Sequence, residues 1–240
     1  MLVEVCANSL ESALVAEQAG ADRIELCCEL AVGGITPSYG LLKAVMQQVS
    51  IPVHVLIRPR SGDFSYSESE FEIMLADIQS CIELGAKGIV AGVLHKDFKL
   101  DVERTKLLRK ASGDLKFTFH RAFDWVKDPM ETMKILEDIG VDVILSSGQQ
   151  PKAIDGIILL KALHEKASSV QIMPGGGVNK MNANVFKEGG FRAVHLSGTA
   201  MVEKLPEPPK VSMNSPNFLS DDHYPVTQLD AIVGVVDKVK

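Results

Sequence analysis

Short β-branched segments alternate with longer amphipathic segments along the whole chain. The strands that we predict begin near Leu2, Arg23, Pro52, Lys87, Leu115, Val141, Ser169 and Ala193. Between them, apolar residues recur at the three- and four-residue spacing of amphipathic helices, as at Leu41 and Val45. Glycines such as Gly20 and Gly140 stand where a helix ends and a strand follows. Eight βα units in 240 residues predict a closed parallel (β/α)8 barrel, a TIM barrel, with a doubly wound open sheet as the alternative.

One segment departs from this repeat. Residues from about 203 to 227 are rich in Pro, Ser, Asn and Asp, and the segment is too long for an ordinary connection. We interpret it as a lid, an interface arm or a disordered insertion in a single domain that spans residues 1–240. A final helix over residues 228–240, with Leu229, Ile232, Val233 and Val236 on one face, closes the predicted barrel.

Charge and hydropathy exclude several classes of partner. The 31 acidic residues outnumber the 25 basic ones and give a net charge of −6, which argues against nucleic acid. Apolar runs fall short of the ~20 residues that cross a bilayer, so we expect no membrane partner. The first residues lack the pattern of a secretory leader, and we therefore predict a cytoplasmic protein with four reduced cysteines.

Period-2 alternation along the strands separates side chains that face the helices from those that face the barrel interior. The side chains predicted to face inward include Glu4, Cys6, Arg23, Glu25, Cys27, Arg58, His120 and His195. An interior built only for stability would hold Val, Ile and Leu. We therefore predict a connected buried polar network near the carboxyl ends of the strands, where barrel enzymes place their sites. Mutual neutralisation of these charges, with no further function, is the alternative.

Two of these residues are candidate metal ligands. Cys6 and Cys27 end neighbouring strands, which lie ~4.8 Å apart, so their sulfurs could share one ion. Paired thiolates favour Cu(I), whereas zinc would need His120 or His195 to complete its ligand set. The alternative is that both cysteines are small core residues. We expect no organic cofactor, and we expect Cys28 to face the helices unless the chain has already turned.

A second set of residues predicts an anion site. Guanidinium groups suit carboxylate and phosphate, and a glycine-rich loop after strand 7, before a helix predicted near Asn179, would offer backbone N–H groups. The candidate anion-binding residues are Arg58, Arg60, Arg121, Gly175, Gly176, Gly177, Ser197 and Gly198. The glycines could equally form a plain tight turn. If the protein is an enzyme, Glu25, His120 and Asp124 are the candidate catalytic residues that would move protons.

Several motifs carry a family resemblance. They lie at residues 4–6, 20–27, 33–38, 57–60, 62–64, 118–124, 147–148 and 174–177. On these motifs, residues 1–200 resemble the CutC family of copper-homeostasis proteins. The resemblance implies a cytoplasmic (β/α)8 barrel, commonly a homo-oligomer, in which two thiols that fall here on Cys6 and Cys27 hold Cu(I). Ser61, Cys28 and the Ser197-Gly198-Thr199 run depart from the family pattern, and beyond Met201 only residues 220–224 still resemble it.

Two functions therefore stay open. The first is a Cu(I)-binding homeostasis protein without turnover, whose partner is the copper ion. The second is a barrel enzyme that acts on a small anionic metabolite bearing phosphate or carboxylate. A purely structural interaction protein fits poorly with charges placed inside a barrel.

Overall fold

The structure is a computed structural model that describes residues 1–203, 205–207, 209–213, 221 and 223–240. Eight parallel strands form one sheet in the order β7-β6-β5-β4-β3-β2-β1-β8. The strands are β1 (Leu2–Ala7), β2 (Arg23–Leu26), β3 (Val53–Leu56), β4 (Gly88–Ala91), β5 (Lys116–Phe119), β6 (Val143–Ser146), β7 (Gln171–Pro174) and β8 (Ala193–Leu196). A parallel bridge between Gly175 and His195 joins the two ends of the sheet. The predicted (β/α)8 barrel is therefore confirmed.

Helices follow the strands and surround the barrel. They are α1 (Leu10–Gln18), α2 (Tyr39–Gln48), α3 (Glu68–Glu83), α4 (Val102–Ala111), α5 (Pro129–Ile139), α6 (Ile157–Lys166), α7 (Ala183–Glu188) and α8 (Leu229–Val239). Side-chain caps fix where several of them begin: Ser9 accepts the N–H of Ser12, and Ser67 and Glu70 form a reciprocal capping box. No helix in the described part of the chain has the length and apolar character that a bilayer crossing requires.

The apolar core lies between the strands and the helices, as alternation requires. Outward residues such as Val3, Val5 and Ile24 are fully buried against the helix layer. The barrel interior holds two small apolar clusters, one around Cys6 and Cys27 and one around Val143, Leu145, Met173 and Ala193. The register of β1 sets Glu4 beside Arg23 and His195, and Cys6 beside Glu25. Polar side chains therefore meet in the barrel interior close to the thiols.

The Pro-rich segment begins and ends in a two-stranded antiparallel ribbon of β9 (Thr199–Glu203) and β10 (His223–Thr227). The Thr227 hydroxyl bonds that of Ser12 and ties the ribbon to α1. Residues 204, 208, 214–220 and 222 lie outside the described residues, and the predicted lid, arm or disordered insertion falls partly on them, as do residues 220 and 222 of the 220–224 motif. The buried face of α8 is Ile232, Val235 and Val239, whereas Leu229, predicted to share that face, is partly exposed.

Candidate functional site

A pair of cysteine thiols lies at the carboxyl ends of β1 and β2. The Sγ atoms of Cys6 and Cys27 are 3.2 Å apart, and both residues are buried free cysteines. The Cys27 N–H donates to the carbonyl of Ala7 at 2.9 Å, so the strand pairing continues one residue past β2. The alternation that turns Cys6 and Glu25 inward therefore also turns Cys27 inward. Glu25 Oε1 lies 3.7 Å from Cys6 Sγ.

A loop after β2 covers the thiol pair, and glycine is required where it passes. At Gly34, where φ is +83°, a Cβ atom would lie 2.8 Å from Leu56 Cδ2 and 3.3 Å from Cys27 Cβ. Arg58 holds this loop, because its Nη1 donates to the carbonyls of Val32 at 2.7 Å and Gly34 at 2.8 Å. Its Nη2 donates to Gly62 O at 2.8 Å. Arg58 thus holds the loop over the thiols. Its guanidinium N–H groups, predicted from the sequence to bind an anion, bond backbone carbonyls instead.

A charged network extends from the thiols into the barrel. Glu4 pairs with Arg23, with Oε2 2.5 Å from Nε, and with His195, with Oε1 2.8 Å from Nδ1. The same His195 Nδ1 lies 4.0 Å from Glu25 Oε2. The predicted network is therefore present among Glu4, Arg23, Glu25 and His195. Arg58 and His120, also predicted to belong to it, instead bond backbone groups.

This arrangement separates the pKa values of the two glutamates. Burial disfavours the charged form of Glu4, but Arg23 and His195 outweigh it and lower its pKa to about 2. Burial, with a smaller contribution from Glu4, raises the pKa of Glu25 to about 7. Burial also opposes the charge on His195, yet Glu25, Cys6 and Glu4 raise its pKa well above 6.5. Near neutral pH the network holds an ionised Glu4 against two cations, while Glu25 lies near its titration midpoint.

The Cys6 thiol resists ionisation. The hydrogen bond with Cys27 and burial raise the pKa of Cys6 well above 9.0. A cation that binds here must therefore displace a thiol proton.

The donor atoms are suited to a soft metal ion. The ligand atoms of Cys6, Glu25 and His195 all lie within 4.8 Å of one another, and Cys27 adds a second sulfur next to Cys6. Within the described ranges no other cluster of three such residues occurs. Sulfur and imidazole ligands suit Cu(I) and Zn(II), and a buried pair of thiols favours the softer ion. His195, which the sequence offered only as a zinc ligand, thus lies at the candidate metal centre.

A cavity of about 390 Å³ opens above these ligands. Cys6, Glu25 and His195 line it, and the loops after β2, β3, β5, β7 and β8 complete its walls. Its remaining lining residues are Leu30, Val32, Gly33, Leu56, Arg58, Phe64, His120, Arg121, Trp125, Leu145, Gly176, Gly177, Val178, Leu196 and Ser197. We call this space the mouth cavity. A bare ion needs far less room, so the cavity can admit a small organic molecule.

His120 lines the mouth cavity and carries a buried donor without a partner among the described residues. Its Nδ1 accepts the Ala122 N–H at 3.1 Å. Burial and the neighbouring Arg58 lower the pKa of His120 to about 3, so the ring is neutral and its proton lies on Nε2. That Nε2 is buried and has no hydrogen-bond partner among the described residues. Gly92 makes room for the ring, since a Cβ there would lie 2.6 Å from Nδ1.

Arg121 also lines the cavity and is held in place from behind. Its Nε donates to Asp124 Oδ2 at 2.8 Å, and its Nη2 donates to Ser147 Oγ at 2.7 Å. Asp124, a candidate proton carrier, also accepts from the Ser146 hydroxyl at 2.6 Å and does not line the cavity. In this structure Asp124 therefore positions Arg121.

Other predicted anion-site residues lie elsewhere. Arg60 pairs with Glu70, with Nε 2.5 Å from Oε1, outside the mouth cavity. Gly175 donates its N–H to Ser146 O at 3.0 Å, and neither it nor Gly198 lines the cavity, whereas Gly176, Gly177 and Ser197 do.

Two local predictions need correction. The helix predicted near Asn179 begins only at Ala183 and has six residues, so the glycine loop does not lead directly into a helix. Cys28 does not face the helices from an extended strand. The chain has already turned there, Cys28 bridges Ile35, and its Sγ lies 3.2 Å from Thr36 O.

Trp125 is the site residue that the sequence analysis missed. It ends the 3₁₀ turn Arg121–Trp125, its side chain is 45% exposed, and it packs on Phe64 with ring centroids 4.8 Å apart. Its position directly after the 118–124 motif was the available signal. As the single tryptophan of the chain, it is a natural reporter of cavity occupancy.

Comparison with known proteins gives a consistent result. The model of the CutC family matches residues 1–200. Proteins named CutC from Photorhabdus laumondii and Klebsiella pneumoniae are 44% and 46% identical over 200 and 196 residues, which cover 83% and 82% of this chain and 81% and 79% of theirs. A crystal structure of CutC from Streptococcus agalactiae, named for copper homeostasis, matches with a TM-score of 0.78 and 36% identity over 82% of this chain and 98% of that one.

Proposed function

The chain belongs to the CutC family, and from this premise we propose that it acts in copper homeostasis by binding Cu(I) between the thiols of Cys6 and Cys27. The observation that carries the proposal is the 3.2 Å contact of two buried, reduced sulfurs. The Streptococcus agalactiae relative is named for copper homeostasis, which agrees with this assignment.

The surroundings of the thiols support a monovalent soft ion. Two thiolates on Cu(I) leave one net negative charge, and the neighbouring His195, whose pKa is raised well above 6.5, supplies a compensating positive charge. The carboxylate of Glu25 lies close enough to contribute a further contact to the ion. The loop that Arg58 holds over Cys27 excludes water from one side of the site.

The proposal includes a cellular location and a state of assembly. Free thiols in close contact persist where glutathione and thioredoxin keep them reduced, so we place this activity in the cytoplasm. We also propose a homo-oligomer, as the family resemblance implies. Light scattering of the purified protein tests the assembly, and a monomer at micromolar concentration contradicts it.

A competitive Cu(I) titration under anaerobic conditions tests the proposed function. The wild type should withdraw Cu(I) from a chromogenic chelator with a Kd below about 1 µM. Cys6→Ser and Cys27→Ser should each weaken this binding by at least about 100-fold, whereas Cys81→Ser, which changes a buried cysteine of α3, should retain it. Equal binding by the wild type and both site variants overturns the proposal.

The mouth cavity favours a second candidate, an enzyme that acts on a small phosphate- or carboxylate-bearing metabolite. Glu25, with a pKa of about 7, would exchange protons near neutral pH in a cavity that the cationic Arg121 also lines. Crystals grown with phosphate or sulfate test this candidate. An oxyanion bound beside Arg121 and Gly176 supports it, and an empty cavity at saturating anion counts against it.

A further inference from the structure

The mouth cavity and the thiol pair form one continuous site. Cys6, Glu25 and His195 line one side of the cavity, so an ion held by the thiols faces the open space. Cu(I) bound only by protein ligands would not need a cavity of about 390 Å³. The space therefore points to a second molecule that enters together with the ion.

The far side of the cavity presents unused donors. The buried Nε2–H of His120 has no partner in the described part of the chain. Nη1 of Arg121 makes no hydrogen bond with any described residue and lies beside Gly176, where a Cβ would come within 3.5 Å of it. The backbone N–H groups of Gly177 and Val178, which also line the cavity, have no acceptor in the described ranges. Several hydrogen-bond donors that have no protein acceptor, on one wall of the cavity, suit a carboxylate ligand.

The other lining groups agree with an anionic guest. Glu25 is the one carboxylate among the described lining residues, whereas Arg58 and Arg121 supply two guanidinium groups. Phe64 and Trp125 supply an apolar wall for the carbon skeleton of a small molecule.

We propose that the mouth cavity binds the molecule that delivers the copper, a small thiol that also bears a carboxylate. Its sulfur joins Cys6 and Cys27 on Cu(I), and its carboxylate accepts hydrogen bonds from His120 and Arg121. This inference rests on the proposed function, since it assigns a third ligand to the same ion.

The ligand exchange balances without a redox step. Cu(I) arrives bound to two carrier thiolates, and Cu–S bonds form to Cys6 and Cys27. One carrier thiolate stays on the ion, and the bond to the other breaks. The departing thiolate leaves as a thiol with one cysteine proton, and the second cysteine proton passes to solvent. Copper remains Cu(I) throughout.

A matched pair of thiols tests the inference. Cu(I) is supplied to the full chain with either 3-mercaptopropionate or 2-mercaptoethanol, which differ in the carboxylate. Fluorescence of Trp125 reports occupancy, and native mass spectrometry reports a complex of protein, copper and thiol. We expect that complex with 3-mercaptopropionate, at roughly tenfold higher affinity for the copper-loaded protein than with 2-mercaptoethanol.

Variants locate the effect. His120→Phe keeps a ring but removes the donor, and Arg121→Gln removes the guanidinium, so each should reduce the tenfold preference toward parity. Arg192→Gln, which changes an exposed arginine that does not line the mouth cavity, should retain it.

The outcomes separate this inference from the proposed function. If Cu(I) binds normally but the two thiols bind with equal affinity, or no complex contains a thiol, the carrier site alone is overturned. Failure to bind Cu(I) with either thiol overturns the proposed function and this inference together.

Discussion

Cys6 and Cys27 lie on adjacent parallel strands with their Sγ atoms 3.2 Å apart and a shared hydrogen bond. Strand pairing fixes one sulfur, and the covering loop at Gly34 confines the other. Because both positions are set by the backbone, an ion that bridges the sulfurs needs little rearrangement of the barrel.

The affinity for Cu(I) should rise with pH. The hydrogen bond with Cys27 and burial raise the pKa of Cys6 well above 9.0, so this thiol is protonated at neutral pH and must release its proton to bind the ion. Below that pKa the affinity should increase about tenfold per pH unit for this proton. Competitive titrations between about pH 6 and 8, corrected for the chelator, measure the slope. A pH-independent affinity would show that Cys6 is not a ligand.

Replacing Glu4 should destabilise the fold strongly. Glu4→Gln removes the carboxylate that pairs with the largely buried Arg23 and His195 and leaves only the more distant Glu25, 4.0 Å from His195, near these described cations. We expect a loss of about 3–5 kcal/mol in the free energy of unfolding. Urea denaturation measures it. Glu68→Gln, which breaks the ion pair of a side chain that is 85% exposed with Arg104, is the control and should cost under about 1 kcal/mol. Similar losses in both variants contradict this role of Glu4.

The metal-free protein should lose stability in acid through its buried histidines. Burial is the main cause that lowers the pKa of His54 to about 4 and of His120 to about 3. As pH falls below the ordinary value of 6.5, the unfolded chain binds these protons before the native one does. Each histidine should therefore remove up to about 1.4 kcal/mol per pH unit until its native pKa is reached. Glu25, whose native pKa is raised to about 7, opposes this between about pH 7 and 4.5.

Urea unfolding of His120→Phe across the same acid range isolates one of these contributions. The variant should show a shallower pH dependence than the wild type, by about 1.4 kcal/mol per pH unit, because one neutral imidazole is gone. An unchanged slope would mean that His120 is protonated in the native protein.

Replacing Gly92 by a larger residue should lower the free energy of unfolding. In Gly92→Ala the new Cβ would lie 2.6 Å from His120 Nδ1 and 3.1 Å from Ala122 Cβ, so the ring must move. We expect a loss of about 1–3 kcal/mol in the free energy of unfolding. Gly40→Ala in α2, where the nearest neighbour is 4.0 Å away, is the control and should be neutral or stabilising. Wild-type stability in Gly92→Ala would refute the packing described for His120.

The parts of the site that the sequence predicted are those that obey strand alternation. A period of two places Glu4, Cys6, Glu25 and Cys27 on one side of two strands, and parallel pairing of those strands brings them together. Nothing beyond this rule was needed to anticipate the thiol pair.

Strand alternation does not predict the direction of side chains that lie beyond the end of a strand. Arg60 lies in the loop after β3, where its side chain forms an ion pair with Glu70 of α3 and does not line the cavity. Trp125 was missed for a similar reason, because the 3₁₀ turn after β5 decides where its side chain lies. Tertiary contacts of loops, which no local pattern encodes, set both positions.

Copper X-ray absorption of the Cu(I)-loaded protein, prepared without added thiol, tests the central claim most directly, because it counts the sulfur atoms bound to the ion. The paired thiols predict two sulfur ligands in the wild type and one in Cys27→Ser, with copper in the Cu(I) state in both. A wild-type spectrum with only nitrogen and oxygen ligands, or one that Cys27→Ser leaves unchanged, would contradict the claim that Cys6 and Cys27 hold the ion together.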